Sequence, residues 1–292
     1  MTGSDIQRFQ AMVDAYRRLA GQSVQAREAQ RARFTAFCEQ GRALLGQRVE
    51  GLAIRTQWWR ERLGGSWPVF DLFEALGISG KENRYTDLLA WLCQVEGGVG
   101  KAFVRALLGR AHPASLLPSH PGALLHAGRE MVTDDGRIDL VLVFEEAAIA
   151  VEAKVWSGEH DTPGAEPQTV SYPKALERKL TLAGRPKRVT SVLLSPAGTP
   201  PLGEDATRLS FLDVAHAALE VVEQLPTVEQ RVVVRLFAAH CLEVVGQVVA
   251  GDAFSFRKAA EVLVLPREQW PRWNAGDSSR LAMFAAFMEV QP

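Results

Sequence analysis

Residues 137–144 (Arg-Ile-Asp-Leu-Val-Leu-Val-Phe) and 148–155 (Ala-Ile-Ala-Val-Glu-Ala-Lys-Val) are two short runs separated by Glu145-Glu146. Side chains in a strand alternate between faces, and these runs place apolar groups on both. That is the pattern of central strands in a sheet covered on each side. Asp135-Gly136, just ahead of them, is a strong hairpin turn, and Glu130–Val132 leads into it as an extended segment. Three charges interrupt the runs. Glu152 and Lys154 are two residues apart and point the same way. Asp139 joins them if the two runs pair as a hairpin. Two carboxylates and an ammonium on one face of a buried sheet are costly to desolvate and have no cheap structural excuse.

Upstream, residues 4–62 carry helical periodicity (Ile6, Phe9, Val13, Tyr16, Leu19, then Phe34, Phe37, Cys38, Leu44, Leu45, Val49). The segment is one long helix or an antiparallel pair. Gly64-Gly65-Ser66-Trp67-Pro68 breaks the pattern and marks a boundary. Short helices are predicted over Val69–Leu76, from Glu82 through Leu92, and over 101–109, followed by a Pro- and His-containing loop over 110–127. Pro167 opens a helix carrying Gln168 and Tyr172, one turn apart, and Pro173 is expected to kink it. Arg188–Ser195 is a buried strand and Pro196–Asp205 a loop. Phe211–Leu225, Val228–Val249, Phe254–Val264 and 278–289 are helical. The expected fold is α/β, a mixed central sheet flanked by helices. Its divisions are a helical arm (1–64), a central domain (65–250) and a helical C-terminal extension (251–292).

The net charge of −1 hides an asymmetry. Residues 1–64 hold eleven Arg, no Lys and six acids, 11 − 6 = +5. A basic arm on a slightly acidic body fits nucleic-acid contact, dimerisation, or a plain solvated helix capping the body. Cys38, Cys93 and Cys241 lie far apart without a Cys-x-x-Cys, which excludes a zinc ribbon and points to reduced thiols in a cytoplasmic protein. No signal peptide is visible. The tract Val232–Val249 is broken by Arg235, His240 and Glu243, so it is expected to be a buried helix and no membrane partner is called for.

Acidic oxygens beside an amine suit one task well, which is holding Mg²⁺ next to a phosphodiester and activating water. On its own, Glu152-Ala153-Lys154 also fits an exposed cross-strand ion pair. With twelve residues between Asp139 and Glu152, the set resembles the D…ExK signature of the PD-(D/E)XK nuclease superfamily. The helix Lys81-Glu82-Asn83-Arg84-Tyr85-Thr86-Asp87-Leu88-Leu89-Ala90-Trp91-Leu92 resembles the start of a bacterial branch of it, with Tyr85 where that branch often has His. Gln168-Thr-Val-Ser-Tyr172 resembles the Q-x-x-x-Y element of its RecB-like members. The resemblance covers roughly 67–225 and leaves out 1–64 and 251–292.

The resemblance implies a restriction-endonuclease-like fold and a Mg²⁺- or Mn²⁺-dependent nuclease acting on DNA rather than RNA. It assigns metal ligation to Asp139, Glu152 and the backbone carbonyl of Ala153. Glu82 is a further ligand or orients water, and Lys154 positions water and stabilises developing charge. Gln168 and Tyr172 face the scissile strand or brace the site. Similar stand-alone bacterial proteins are associated with defence against phage or foreign DNA, with a homodimer or a regulatory partner conceivable. Two alternatives stay open: a binding or regulatory module on the same fold without turnover, and a nuclease directed at RNA, including tRNA. His160 and Asp161 lie just after the site, and a solvated loop accounts for them. Trp58-Trp59 has the chemistry to stack on bases, but packing explains it more simply.

Overall fold

The computed structural model describes residues 14, 28–33, 35–36, 39–40, 43, 46–65, 71–77, 81–155, 166–185, 187–271, 273 and 275–290. Most of the predicted helix 4–62, the break at 66–68 and the loop with His160 and Asp161 lie outside the described residues. The chain forms two compact units, Met1–Gly51 and Leu52–Pro292. In the first, residues 28–33 and 46–50 are helical. Everything below concerns the second. The division at 64/65 and 250/251 remains a proposal.

The second unit opens with helix α1 (52–62) and continues through α2 (Leu72–Ala75), α3 (Glu82–Gln94) and α4 (Val99–Leu108). Three strands follow as a meander, β1 (Leu124–Thr133), β2 (Gly136–Phe144) and β3 (Ala147–Ala153). The helix α5 (Gln168–Leu182) then crosses to β4 (Arg188–Ser195) and β5 (Ala206–Ser210). The sheet order is β1-β2-β3-β4-β5. β1, β2 and β3 pair antiparallel, and β3, β4 and β5 pair parallel. The helices α6 (Phe211–Val221), α7 (Val228–Ala250), α8 (Phe256–Leu263) and α9 (Ala275–Val290) complete it. This is a mixed sheet flanked by helices, the restriction-endonuclease-like α/β architecture expected.

The two apolar runs are central strands because both faces are covered. Val141 and Val143 lie opposite Ala150 and Ala148, and this face packs on Tyr172 and Leu176 of α5. Leu140, Leu142, Ile149 and Val151, on the other face, are buried too. Fully burying such a side chain contributes about 1.5–3 kcal/mol, so the register is strongly fixed. A slip of one residue would turn Asp139 away from its face.

The helical layer begins at well-marked caps. Ser210 and Asp213 form a capping box on α6, as do Thr227 and Gln230 on α7. By length and composition α7 could cross a membrane. Ten of its residues are nonetheless buried inside this unit, where it meets α6, α8 and α9. Trp59 of α1 is fully buried with its ring 4.3 Å from that of His216 in α6, so packing accounts for it.

Two details differ from expectation. β1 begins at Leu124, inside the predicted loop 110–127. β5 was not foreseen, its five residues Ala-Thr-Arg-Leu-Ser being short and half polar. Pro173, expected to kink α5, lies inside it. A proline removes the N–H that would bond the carbonyl four residues back, here that of Thr169. Ser191 on β4 donates its hydroxyl to that carbonyl at 2.7 Å and takes the missing partner's place.

Candidate active site

The antiparallel register Leu140↔Val151 extends by one step to set Asp139 opposite Glu152. Both lie on the face that α5 covers. Asp139 Oδ2 accepts the backbone N–H of Ala153 at 2.9 Å. Lys154 stands just past the end of β3, and its own N–H continues the parallel ladder to Leu194 O at 2.8 Å. That bond keeps strand alternation going, so its side chain lies beside Glu152, with Nζ 2.6 Å from Glu152 Oε1. Both side chains are more than nine-tenths buried.

Glu82 begins α3, where a negative charge is favoured by the helix dipole. Its Oε1 accepts the N–H of Val155 at 2.9 Å. Thus the peptide N–H groups of Ala153 and Val155, on either side of Lys154, are held by two different acids. Arg129 on β1 clamps α3 to the sheet through Asp87 Oδ1 at 2.6 Å and the Asn83 carbonyl at 3.4 Å. From α5, Gln168 Nε2 donates to the Tyr172 hydroxyl at 2.9 Å.

The electrostatics follow from this crowding. Burial, then the neighbouring Asp139 charge, pushes the Glu152 carboxyl up to about 7. Asp139 is raised as well, again by burial, although the Ala153 amide and Lys154 offset part of it. Burial alone would lower Lys154, but its bond and attraction to Glu152 outweigh that and keep it cationic. Burial raises the Tyr172 phenol, and the charges of Glu152 and Asp139 reach it too. All six residues singled out in the sequence are therefore gathered at one end of β2 and β3. Ala153 is there through its amide.

Among the described residues, no three Asp, Glu, His or Cys side chains are already arranged around a metal position. The carboxylates are instead turned onto Lys154 and onto backbone amides. At this site two buried oxygens, Glu152 Oε2 and Gln168 Oε1, make no hydrogen bond. An orphaned carboxylate oxygen beside a second carboxylate is expensive in a protein interior. A hard divalent cation relieves that cost, and Mg²⁺ needs only one or two carboxylates because it keeps several waters. The donor set fits such an ion.

The sequence did not single out Asp71 or His240. The His240 ring is bonded on both sides, Nε2 to the Tyr85 hydroxyl and Nδ1 to Asp71 Oδ2, each at 2.6 Å. The only signal was a polar residue interrupting the apolar run of α7.

A mixed sheet whose antiparallel pair presents Asp opposite Glu, with Lys two residues on, defines a restriction-endonuclease-like protein. The chain belongs to the PD-(D/E)XK nuclease superfamily, whose family model matches residues 70–230, more than half of its length. The match contains Glu82, Asp139, Glu152, Lys154, Gln168 and Tyr172. No curated protein matches the chain.

Proposed function

We propose that this protein is a Mg²⁺-dependent (or Mn²⁺-dependent) nuclease that hydrolyses phosphodiester bonds in DNA. The observation that carries this is the convergence of Asp139, Glu152 and Lys154 on one sheet face, with an uncompensated Glu152 oxygen among them. Asp139, Glu152 and the Ala153 carbonyl would hold the ion, with Glu82 as a further oxygen donor. The bound ion supplies charge neutralisation and a more acidic water. Lys154 stays cationic and places its ammonium where negative charge develops on phosphorus. Its bond to Glu152 keeps it aimed before substrate arrives. Gln168 and Tyr172 brace the same face and present a hydroxyl toward the substrate strand.

The basic segment 1–64 fits non-specific contact with the phosphate backbone, and it is also the surface proposed for a homodimer. Defence against phage or foreign DNA, in the cytoplasm and under a regulatory partner, is the proposed setting.

The test is direct. Purified protein is incubated with supercoiled plasmid, linear duplex, single-stranded DNA and RNA, each with Mg²⁺, Mn²⁺ or EDTA. Metal-dependent cutting of DNA that Asp139→Asn and Lys154→Ala both abolish supports the proposal. Cutting of RNA alone redirects it to the RNA reading. Metal-independent binding without cleavage favours the non-catalytic module.

A further inference from the structure

We propose that Asp71, His240 and Tyr85 form a buried positioning chain that holds Glu82 against the catalytic strand end, an inference that rests on the nuclease reading of the site. The chain crosses three elements. Asp71 stands before α2, where its Oδ1 caps the amides of Phe73 at 2.9 Å and Glu74 at 3.1 Å. Its Oδ2 takes His240 Nδ1 on α7 at 2.6 Å. His240 Nε2 meets the Tyr85 hydroxyl on α3, also at 2.6 Å. A carboxylate only accepts, so Nδ1 carries the hydrogen, and in the neutral imidazole Nε2 accepts the phenol's.

Each link is confined. Tyr85 is 1 % exposed and His240 3 %. Phe73 stacks on the imidazole at 4.5 Å with planes 6° apart, and Phe211 stacks on Tyr85 at 4.8 Å. Neither ring has room to turn. An apolar trio would pack this space without the desolvation cost that these groups carry. What the polar version adds is a fixed direction. Hydrogen bonds set the height and rotation of α3, whereas apolar contacts allow it to slide.

Glu82 lies one turn before Tyr85 on that helix, and its carboxylate meets the Val155 N–H. Rotation of α3 would therefore move Glu82 away from the peptide that follows Lys154. Arg129 grips the helix from the β1 side through Asn83 and Asp87, partly exposed to solvent. The chain on Tyr85 is the buried half of this two-point hold. All three are positioning residues, because they act on Glu82 through α3.

The experiment is residue-resolved amide exchange, read together with Mn²⁺ affinity by electron paramagnetic resonance. Tyr85→Phe deletes only the hydroxyl. A second variant, Tyr85→Phe with His240→Leu and Asp71→Ser, leaves neither a ring nitrogen nor a carboxylate oxygen orphaned, keeps a hydroxyl to cap the amides of Phe73 and Glu74, and guards against a fold lost to an unsatisfied group. Both variants should speed exchange at Val155 about tenfold, as losing one ordinary hydrogen bond does. Leu140 and Val151, in the centre of the ladder, should keep their rates. Mn²⁺ affinity should fall about tenfold or more, as for other groups that orient metal ligands. An unchanged Val155 rate, or equal acceleration at Leu140 and Val151, overturns the proposal. These readouts do not depend on cleavage, so a wild-type protein that cuts nothing would sink the nuclease reading without touching this result.

Discussion

Ala153 donates its backbone N–H to Asp139 Oδ2 at 2.9 Å, so the peptide between Glu152 and Lys154 is pinned by an acid on the neighbouring strand. Asp139 thus has a structural contact as well as a proposed ligand role, and two substitutions separate them. Asp139→Asn keeps an oxygen for the amide and removes the charge. It should fold with nearly wild-type stability while cleavage falls beyond the roughly 100-fold that removing a supporting group costs. Asp139→Ala should lose activity as fully and also lose about 1–3 kcal/mol, because a part-buried amide is left without an acceptor. Urea denaturation and plasmid cleavage on both variants check this. Equal stability losses would mean the amide contact contributes nothing.

Glu152 makes the metal-free protein sensitive to alkali in a narrow range. Its carboxyl titrates at about 7 in the fold against an ordinary value of 4.5. The folded state therefore keeps a proton that the unfolded chain has released, and stability falls as pH rises through that interval. The contribution is complete below pH 4.5 and lost as pH passes 7. At about 1.4 kcal/mol per unit, the effect is on the order of 3–4 kcal/mol. Melting curves in EDTA should show the decline in wild type and a flatter profile in Glu152→Gln. Added Mg²⁺ should raise the wild-type melting temperature more at pH 7.5 than at pH 5, because the ion competes with the proton.

The central hairpin was legible because its signals are local. Glu145-Glu146 turns the chain, alternation marks both strands, and side-chain parity then dictates that Asp139, Glu152 and Lys154 share a face. The Glu82 helix and the Gln168/Tyr172 turn were legible as patterns, but their placement at the strand ends depends on bonds across long loops, such as Glu82 to Val155. β5 was missed because Ala206–Ser210 takes its strand character from pairing with β4 and not from its own residues. The Asp71–His240–Tyr85 chain could not be read at all. His240 lies 155 residues from Tyr85 and 169 from Asp71, and nothing local distinguishes a bonded core histidine from an interrupted apolar run.

Gly136 is constrained from two directions. Its φ is +133°, and a Cβ there would lie 3.0 Å from the Tyr172 hydroxyl. Gly136→Ala should destabilise by about 1–2 kcal/mol through backbone strain and crowding. It should also displace the phenol from Gln168 and lower cleavage. Adding Tyr172→Phe removes the hydroxyl that the methyl group meets. The double variant should recover part of the stability but none of the activity. Thermal unfolding and cleavage rates of the three variants test this. Full additivity of the stability losses would show that the methyl group and the hydroxyl never meet.

Pro173 and Ser191 make up a second coupled pair, in the crossover helix that carries Gln168 and Tyr172. Pro173 cannot donate to the Thr169 carbonyl, and the Ser191 hydroxyl does so from β4 at 2.7 Å. Both Thr169 and Ser191 are buried, so Ser191→Ala, which deletes this buried hydrogen bond, should cost about 1–3 kcal/mol. Pro173→Ala restores a helical N–H that can serve the same carbonyl. In that background the Ser191→Ala cost should fall below about 1 kcal/mol, the net worth of a single redundant bond. A double-mutant cycle in urea measures the difference. If Ser191→Ala costs the same with and without the proline, the serine stabilises β4 for some other reason. If the costs differ as described, α5 keeps its place on the sheet through a bond supplied by the neighbouring strand, and Tyr172 keeps its position beside the acids for the same reason.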